Sequence, residues 1–452
     1  MATNPTASRA LPVVGLLLLG AGLAGIFYHI GRLPQPKSQT PEVIAWLLAA
    51  GLLYVVAAFL VERFALGRWA LVVILGAALG FRLLALPLSP SLSTDVYRYQ
   101  WEGRVQRAGI NPYTTYPAAL RPLGLEDPEH PLEVGPFTPT LYPPLSEWSF
   151  SWARTVPGYK RLYTGLDAAS IFLLLLLLAV RKQPLARVLI YAWNPTVVVA
   201  FAMCGHHDSL AILALLAANL LIIAERRAAS IALLALSFLA KFFAAPLLPV
   251  FLKRSRWRYA GIFAGVVVAG YLPYASAGRK LLDGLSQYAA GWENNDSVFR
   301  LLLLAGNSKP QAGLIAGVLF MALLLVVLKR RLEPLQASFV LIAGLLVLSP
   351  NAFPWYFTWL IPFLCFYPSP PWLLVSVTCA LGYAPVILFA ASQPYKDSPL
   401  ILALEYVPVF VWLAWELGRG SLFGVPSPNR EIRTPMSNLH ADTDFYAHNG
   451  AT

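Results

Sequence analysis

The chain has 452 residues, of which 58% are hydrophobic and only 12% charged, and its formal net charge is +12. This charged share is about half that of an ordinary soluble domain, which excludes a soluble protein. The basic residues lie in short loops between apolar segments, which excludes a nucleic-acid partner and is typical of the cytoplasmic loops of a membrane protein. These loops are at residues 181–182, 226–227, 253–256 and 329–331.

Apolar segments recur along the chain, and most could cross the ~30 Å hydrocarbon core of a bilayer as a helix. They cover residues 11–30, 43–61, 69–88, 162–180, 185–203, 210–224, 231–252, 259–274, 311–328, 335–348, 355–366, 372–391 and 400–417. As one span, 231–252 would place the basic cluster at 253–256 outside, whereas two short helices that turn near Lys241 return it to the cytoplasm. The sequence therefore predicts an all-α polytopic membrane protein with about 13–14 transmembrane helices and both termini inside.

The ends of the chain carry two further expectations. Residues 11–30 form a signal-anchor or a signal peptide, and their length favours the anchor; either leaves the loop at residues 89–160 extracytoplasmic. Residues 420–452 are rich in Ser, Pro and Asn, and they predict a disordered cytoplasmic tail after a single domain at residues 1–419. The three cysteines show neither a disulfide framework nor metal-like spacing.

A polar helix over residues 95–107 is predicted directly after the third apolar segment. Ser93 or Thr94 would be its N-cap, and Gly109 follows its end. One face carries most of its polar groups, namely Asp95, Tyr99, Glu102 and Gln106, with Arg98 at the edge. We expect this helix to lie at the membrane interface with its polar face toward a cavity; the alternative is a solvated surface helix.

Further polar motifs are predicted on the same side of the membrane. They are Tyr142-Pro143-Pro144-Leu145, Trp193-Asn194-Pro195, Gly205-His206-His207-Asp208, Glu293 to Ser297 with Arg300, Asn351, and Pro354-Trp355-Tyr356. Each alone is explained by helix capping or by an aromatic belt. Ionisable residues gathered at one membrane face, however, indicate a functional site.

These motifs resemble the first-loop signature of membrane GT-C glycosyltransferases. The resemblance is carried by Asp95-Val96-Tyr97-Arg98-Tyr99, Trp101-Glu102-Gly103-Arg104-Val105-Gln106, Gly109-Ile110-Asn111-Pro112-Tyr113 and the later motifs, including Lys241, and it covers residues 11–418. It is closest to the bacterial polyprenyl-phosphate-mannose-dependent mannosyltransferases and more distant to the GPI mannosyltransferase catalytic subunit. The resemblance implies a GT-C-like bundle with interfacial helices in an extracytoplasmic first loop.

The resemblance also implies an inverting transfer of a sugar, most simply mannose, from a polyprenyl-phosphate donor, with Asp95 as base. Candidate residues are Asp95, Glu102 and Asp208 for catalysis, and Arg98, Tyr99, His206, His207, Lys241, Glu293, Arg300 and Tyr356 for the donor phosphate and substrate. The family often has two acidic residues separated by one. Here Val96 and Tyr97 follow Asp95, which argues against a tightly bound metal and leaves a loosely bound divalent cation open.

The expected partners are the lipid bilayer, the lipid-linked donor and a glycan or lipid-linked acceptor, and the expected location is a bacterial plasma membrane with the site outside. A lipid or sugar transporter or flippase is the alternative. Transporters usually show internal repeats and broken spans near the bilayer midplane, and the sequence shows no clear repeat. The sequence leaves the sugar, the acceptor and the linkage open.

Overall fold

The structure, a computed structural model, describes residues 5–33, 39–125, 135–390 and 396–418. The tail expected at residues 420–452 lies outside the described residues. The described part of the chain is helical and contains no β-strand. This is the all-α polytopic architecture that the sequence predicts.

Twenty α-helices follow one another along the described chain. The first ten are α1 (Pro5–Ile30), α2 (Thr40–Arg63), α3 (Arg68–Ala85), α4 (Asp95–Arg107), α5 (Pro144–Phe150), α6 (Val156–Val180), α7 (Leu189–Ala192), α8 (Pro195–Val198), α9 (Asp208–Ile223) and α10 (Arg227–Ala240). The other ten are α11 (Leu248–Arg254), α12 (Ala260–Tyr271), α13 (Asp283–Gly291), α14 (Val298–Leu304), α15 (Lys309–Lys329), α16 (Pro334–Leu348), α17 (Ile361–Leu364), α18 (Pro370–Thr378), α19 (Pro385–Ala390) and α20 (Pro399–Gly418).

Shorter helical turns connect them. The 3₁₀ turns are Pro112–Thr114, Pro117–Leu123, Leu185–Val188, Phe242–Leu247, Trp257–Tyr259, Leu272–Leu282, Pro354–Trp359 and Cys379–Tyr383, and Val199–Met203 is a π-helical turn.

Eight helical stretches of the described chain are long and apolar enough to span a membrane, or nine if a bent pair counts as one span. Several of the other predicted spans are shorter here: residues 210–224 and 335–348 form α9 and α16, and residues 355–366 form a 3₁₀ turn and α17. Full-length spans are therefore fewer than the 13–14 predicted. Apolar composition alone does not separate a full span from a short or broken helix that is enclosed by its neighbours.

The bent pair breaks at the motif Trp193-Asn194-Pro195, where the two halves differ in direction by 59°. The Asn194 side chain accepts from the backbone N–H of Thr196 and so caps the second half. The Ala192 carbonyl, which the break leaves without a helical partner, accepts from Arg82 of α3 at 2.8 Å. Arg82 also forms a buried ion pair with Asp167 of α6, with an N–O distance of 2.6 Å. Backbone polar groups freed inside a membrane are thus satisfied by protein.

The chain reverses at Lys241, as the sequence predicts. Helix α10 ends at Ala240, and Lys241 has an extended backbone. Lys241 contacts Asp208 at the start of α9, whereas Lys253, 12 residues later, donates to the Leu328 carbonyl at the end of α15. The basic loops therefore lie at the ends of the helices opposite to Asp208.

The polar helix α4 begins at Asp95 and ends at Arg107, as predicted, and Gly109 follows in the left-handed conformation with φ of 76°. The Ser93 hydroxyl accepts from the Asp95 backbone N–H at 3.4 Å, and Thr94 makes no side-chain cap. Most of the helix is buried by its neighbours, while the side that carries Gln100, Arg104 and Arg107 stays partly exposed. A Cβ atom at Gly103 would lie 2.0 Å from the Phe150 carbonyl oxygen, so only glycine permits this close approach to α5.

Candidate active site

Asp95 lies at the centre of a group of ionisable side chains. Its Oδ2 atom is 3.8 Å from Nδ1 of His206, and 27% of its side chain remains exposed. Burial raises the pKa of Asp95 to about 6; the Lys241 ammonium opposes this rise and Asp208 adds to it. A carboxylate with a pKa near neutrality that still has access to solvent suits a general base.

The two histidines have different surroundings. His206 stacks on Trp355 with ring centroids 4.2 Å apart, and its Nδ1 lies 3.4 Å from the Tyr99 hydroxyl. His207 is enclosed by the rings of Tyr99, Tyr142 and Phe150. Burial and the nearby Lys241 lower the pKa of both imidazoles, so both are neutral at physiological pH.

The turn that brings the histidines to Asp95 depends on Gly205. This glycine has φ of 70°, a conformation that other L-residues rarely adopt. A Cβ atom there would lie 3.0 Å from the Lys160 side chain and 3.3 Å from Val96 of α4. The backbone N–H of His206 donates to the Ala200 carbonyl, which fixes the turn to the π-helical end of the broken span.

The partly buried Lys241 forms an ion pair with the fully buried Asp208, and both act on the pKa of Asp95. The Lys241 Nζ atom is 3.2 Å from Asp208 Oδ1, which also accepts from the indole N–H of Trp359 at 2.7 Å. The same ammonium lies over the rings of Tyr356 and Trp359, at 5.0 and 5.8 Å from their centroids. Asp208 therefore orients a cation, and its negative charge is already compensated.

Tyr288 of α13 completes this side of the site. Its hydroxyl lies 3.1 Å from that of Tyr356. Neither Tyr288 nor Trp359 is among the site residues that the sequence predicts. Trp359 follows Tyr356 by three residues within the same 3₁₀ turn, a spacing that could have identified it. Tyr288 is 68 residues from its partner, and no sequence pattern links the two.

Arg98 and Glu102 are used inside the loop that the chain forms after α4. The Arg98 Nε atom donates to Glu102 at 2.7 Å, and its two terminal nitrogens donate to the carbonyls of Gly135 and Thr138, both at 2.9 Å. Both side chains are buried. Arg98 is thus bonded within the loop and to Glu102, and the roles of Arg98 at the donor phosphate and of Glu102 in catalysis stay predictions. Asp208 is the carboxylate that influences Asp95.

A separate ionic cluster contains Glu293 and Arg300. Arg300 pairs with Asp296 at 2.9 Å and lies 3.7 Å from Glu293, which also pairs with Lys309 of α15 at 3.1 Å. Arg300 keeps 34% of its side chain exposed. In the described residues these ion pairs do not include Asp95, and the roles of Arg300 and Glu293 in binding the donor stay predictions.

An apolar groove of about 730 Å³ lies beside this cluster, between α13, α14, α15 and α16. Small residues of two helices, Ala289 and Ala290 of α13 and Gly313 and Gly317 of α15, form part of its wall, and Lys309 lies at its polar end. Since α13 also carries Tyr288, one helix connects the groove with the site around Lys241.

The described residues contain no group of three or more His, Cys, Asp or Glu side chains placed to hold a metal ion. Asp95, His206 and Asp208 lie near one another, but Asp208 is already bound by Lys241 and Trp359.

The chain matches the model of a known protein family. The family model described as alpha-(1->6)-mannopyranosyltransferase, N-terminal domain (MptA_B family), matches residues 13–254, which is more than half of the chain. The matched range contains Asp95, His206, Asp208 and Lys241. A comparison with curated proteins finds no match.

Proposed function

Since the chain belongs to the MptA_B family of alpha-(1->6)-mannopyranosyltransferases, it is a membrane-embedded mannosyltransferase of the GT-C type, and we propose that its donor is a polyprenyl-phosphate-linked mannose. The acceptor is a hydroxyl group of an extracytoplasmic glycan or lipid-linked sugar, and the anomeric configuration inverts. The observation that carries this proposal is the partly exposed Asp95 carboxylate, whose pKa is raised to about 6, beside the Lys241 ammonium.

Asp95 acts as the general base. It takes the proton of the acceptor hydroxyl while the acceptor oxygen forms a bond to the anomeric carbon of the donor. The bond between that carbon and the phosphate oxygen breaks at the same time, and its electron pair stays on the phosphate. One displacement inverts the anomeric centre, so a β-linked donor gives an α-linked product.

Lys241 stabilises the phosphate as its negative charge develops, because a fixed cation in a site with little water acts strongly on a leaving anion. Asp208, itself bonded to the indole N–H of Trp359, pairs with the ammonium. The rings of Tyr356 and Trp359 limit the movement of the ammonium. Arg300, which is partly exposed in the first turn of α14, is the second cation that a phosphate can reach as the donor enters.

The polyprenyl chain of the donor occupies the groove between α13 and α16. The support for this assignment is the apolar lining of the groove, its volume of about 730 Å³, and the shared helix α13. An isoprenoid chain in this groove brings its phosphate past Lys309 and Arg300 toward Lys241, so the donor reacts without leaving the bilayer.

The site faces the extracytoplasmic side of a bacterial plasma membrane. The support for this orientation is the distribution of charge: the loops after α6, α9, α11 and α15 are basic and lie opposite to Asp95. Short basic loops of membrane proteins stay in the cytoplasm.

Transfer to a defined acceptor tests this function. The purified protein would be incubated with radiolabelled polyprenyl-phosphate mannose and an alkyl α-mannoside, with the 6-deoxy form of the same mannoside as the control. We expect an α-(1→6)-linked dimannoside from the first acceptor and none from the second. Equal labelling of both acceptors would contradict the linkage. Movement of the donor across vesicles without a new glycosidic bond would instead favour a flippase.

A further inference from the structure

Two buried carboxyl groups face each other between α4, the helix that begins with Asp95, and α5. Glu102 of α4 and Glu147 of α5 are both fully buried. Glu102 is paired with the Arg98 guanidinium. The contacts of Glu147 are instead with neutral groups: its Oε1 lies 2.5 Å from the Thr140 hydroxyl, and its Oε2 accepts from the Gln106 amide at 3.0 Å.

Within the described residues, the charges of this cluster do not balance if both carboxyl groups are ionised, because one guanidinium faces two carboxylates. A buried carboxylate without a cation is costly, and the usual outcome is that the group keeps its proton. Burial raises the pKa of both carboxyl groups, and the charge of Glu102 raises that of Glu147 further. The other titratable groups that face the pair in the described part of the chain are phenols, which are uncharged at neutral pH: Tyr113, Tyr142, Tyr159, Tyr163 and Tyr274.

The hydrogen bonds limit where a proton on Glu147 can lie. Glu147 Oε2 accepts from Gln106, whose amide also donates to the Glu147 backbone carbonyl at 2.6 Å. Glu147 Oε1 accepts from the Thr140 hydroxyl when the carboxyl group is ionised. In the protonated form the proton lies on Oε1 and this bond reverses, so that Oε1 donates to the Thr140 oxygen. A glutamine at this position offers the same pattern, with its N–H₂ group toward Thr140 and its oxygen toward Gln106.

These contacts join the helix of Asp95 to the rest of the site. Gln106 near the end of α4 is held by Glu147 and by the Tyr274 hydroxyl at 2.8 Å. Arg98, one turn after Asp95, holds the segment that carries Thr140. The direction in which α4 presents Asp95 therefore depends on a network in which the Glu147 side chain joins Gln106 of α4 to Thr140. The Tyr159 hydroxyl supplies a second link between the two helices, from the Tyr99 carbonyl of α4 to the Phe150 carbonyl of α5.

We propose that Glu147 is a positioning residue for mannosyl transfer, which holds α4 in place with its carboxyl group protonated. This inference rests on the proposed function in one respect, namely that Asp95 is the base whose position matters. Glu147 itself does not touch the substrates and acts through Gln106 and Thr140.

Infrared spectroscopy of the purified protein tests the protonation state without any substrate. At about pH 8, above the pKa of Asp95, the difference between wild type and Glu147→Gln should contain the C=O stretching band of a carboxylic acid. The matched difference with Asp95→Asn should contain carboxylate bands instead, because Asp95 is ionised there. Carboxylate bands in the Glu147→Gln difference would overturn the proposal.

Kinetics test the positioning role. Glu147→Gln should keep kcat within about threefold of wild type, whereas Glu147→Ala, which leaves two buried polar partners unsatisfied, should lose about tenfold in kcat with little change in donor KM. A folded Glu147→Gln protein that loses activity by a hundredfold or more, in the range of a lost base, would show that the charge is required and would overturn the proposal. If wild type shows no transfer at all, the proposed function fails, and the infrared result still decides the state of Glu147.

Discussion

Replacement of Asp95 by asparagine is the most direct test of the site. The change keeps the size of the side chain and its polar contacts but removes the ability to accept a proton. General-base catalysis typically contributes 10²–10⁴-fold, so we expect kcat to fall by at least about a hundredfold. Transfer of radiolabelled mannose to an alkyl α-mannoside, measured at saturating acceptor, gives the rate. The donor KM should change little because Lys241 is untouched.

The acidity of Asp95 gives the same test a second readout. Only the ionised carboxylate is a base, so the wild-type rate should fall as the pH decreases through about 6. Protein stability depends on pH in the opposite sense to the catalytic rate. The folded pKa is above the ordinary value of 3.8, so folded Asp95 binds more protons and the ionised form destabilises the protein as pH rises from about 4 to 6. At neutral pH this cost is at most about 3 kcal/mol, and solvent at the exposed part of the side chain reduces it.

Asp95→Asn should therefore be inactive but at least as stable as wild type at neutral pH. A matched control is Asp283→Asn, which changes an exposed aspartate that likewise begins a helix, and it should alter neither property. A well-folded Asp95→Asn protein with full activity would refute the assignment of the base. Loss of activity together with a lower melting temperature would indicate that Asp95 has a structural role instead.

Three other changes test the remaining parts of the site. Lys241→Met should lower donor turnover by about a hundredfold, because the fixed cation on the phosphate is lost. Lys241→Arg should recover part of the turnover, because a cation is present but displaced. Wild-type rates in both variants would remove Lys241 from the phosphate site. Gly313→Phe should raise the KM for a long-chain donor more than the KM for a short-chain donor, because the larger side chain narrows the groove. Leu314→Phe, on the exposed side of the same helix, should leave both KM values unchanged. A rise of the long-chain KM in both variants would point to general misfolding. A cysteine introduced at the exposed Thr114 should react with an impermeant thiol reagent in intact cells, and a cysteine introduced at Arg330 should not. The three native cysteines are buried and give little background. The reverse labelling would overturn the orientation.

Much of the fold follows from local sequence signals. The bounds of α4 are predictable because a polar helix is delimited by a loop before Asp95 and by a glycine after its end. The reversal at Lys241 is predictable because the alternation of basic loops requires the chain to return. The number of full spans is less predictable, since α9, α16 and α17 are as apolar as true spans but are enclosed by protein along much of their length.

The site is predictable only in part, for a physical reason. Asp95, the His206 to Asp208 turn and Lys241 lie at helix ends that topology places on one side, and the structure brings them together. Arg98 was expected to bind phosphate, yet it binds the carbonyls of Gly135 and Thr138, 37 and 40 residues later. No periodicity encodes a contact with the backbone of an irregular loop, so a sequence pattern cannot show whether an arginine is already occupied.

The buried pair of Arg82 and Asp167 has a consequence for the biogenesis of the protein. A charged side chain within a spanning helix disfavours its insertion, and the cost is largest at the centre of the bilayer. The two residues are 85 positions apart, so the charge of Arg82 in α3 has no partner at Asp167 until α6 has been made. The broken span that carries the Ala192 carbonyl is synthesised directly afterward and completes the coordination of Arg82. Assembly of the catalytic end of the molecule is therefore tied to the order of synthesis, and loss of either charge would expose the other to quality control before the site could form.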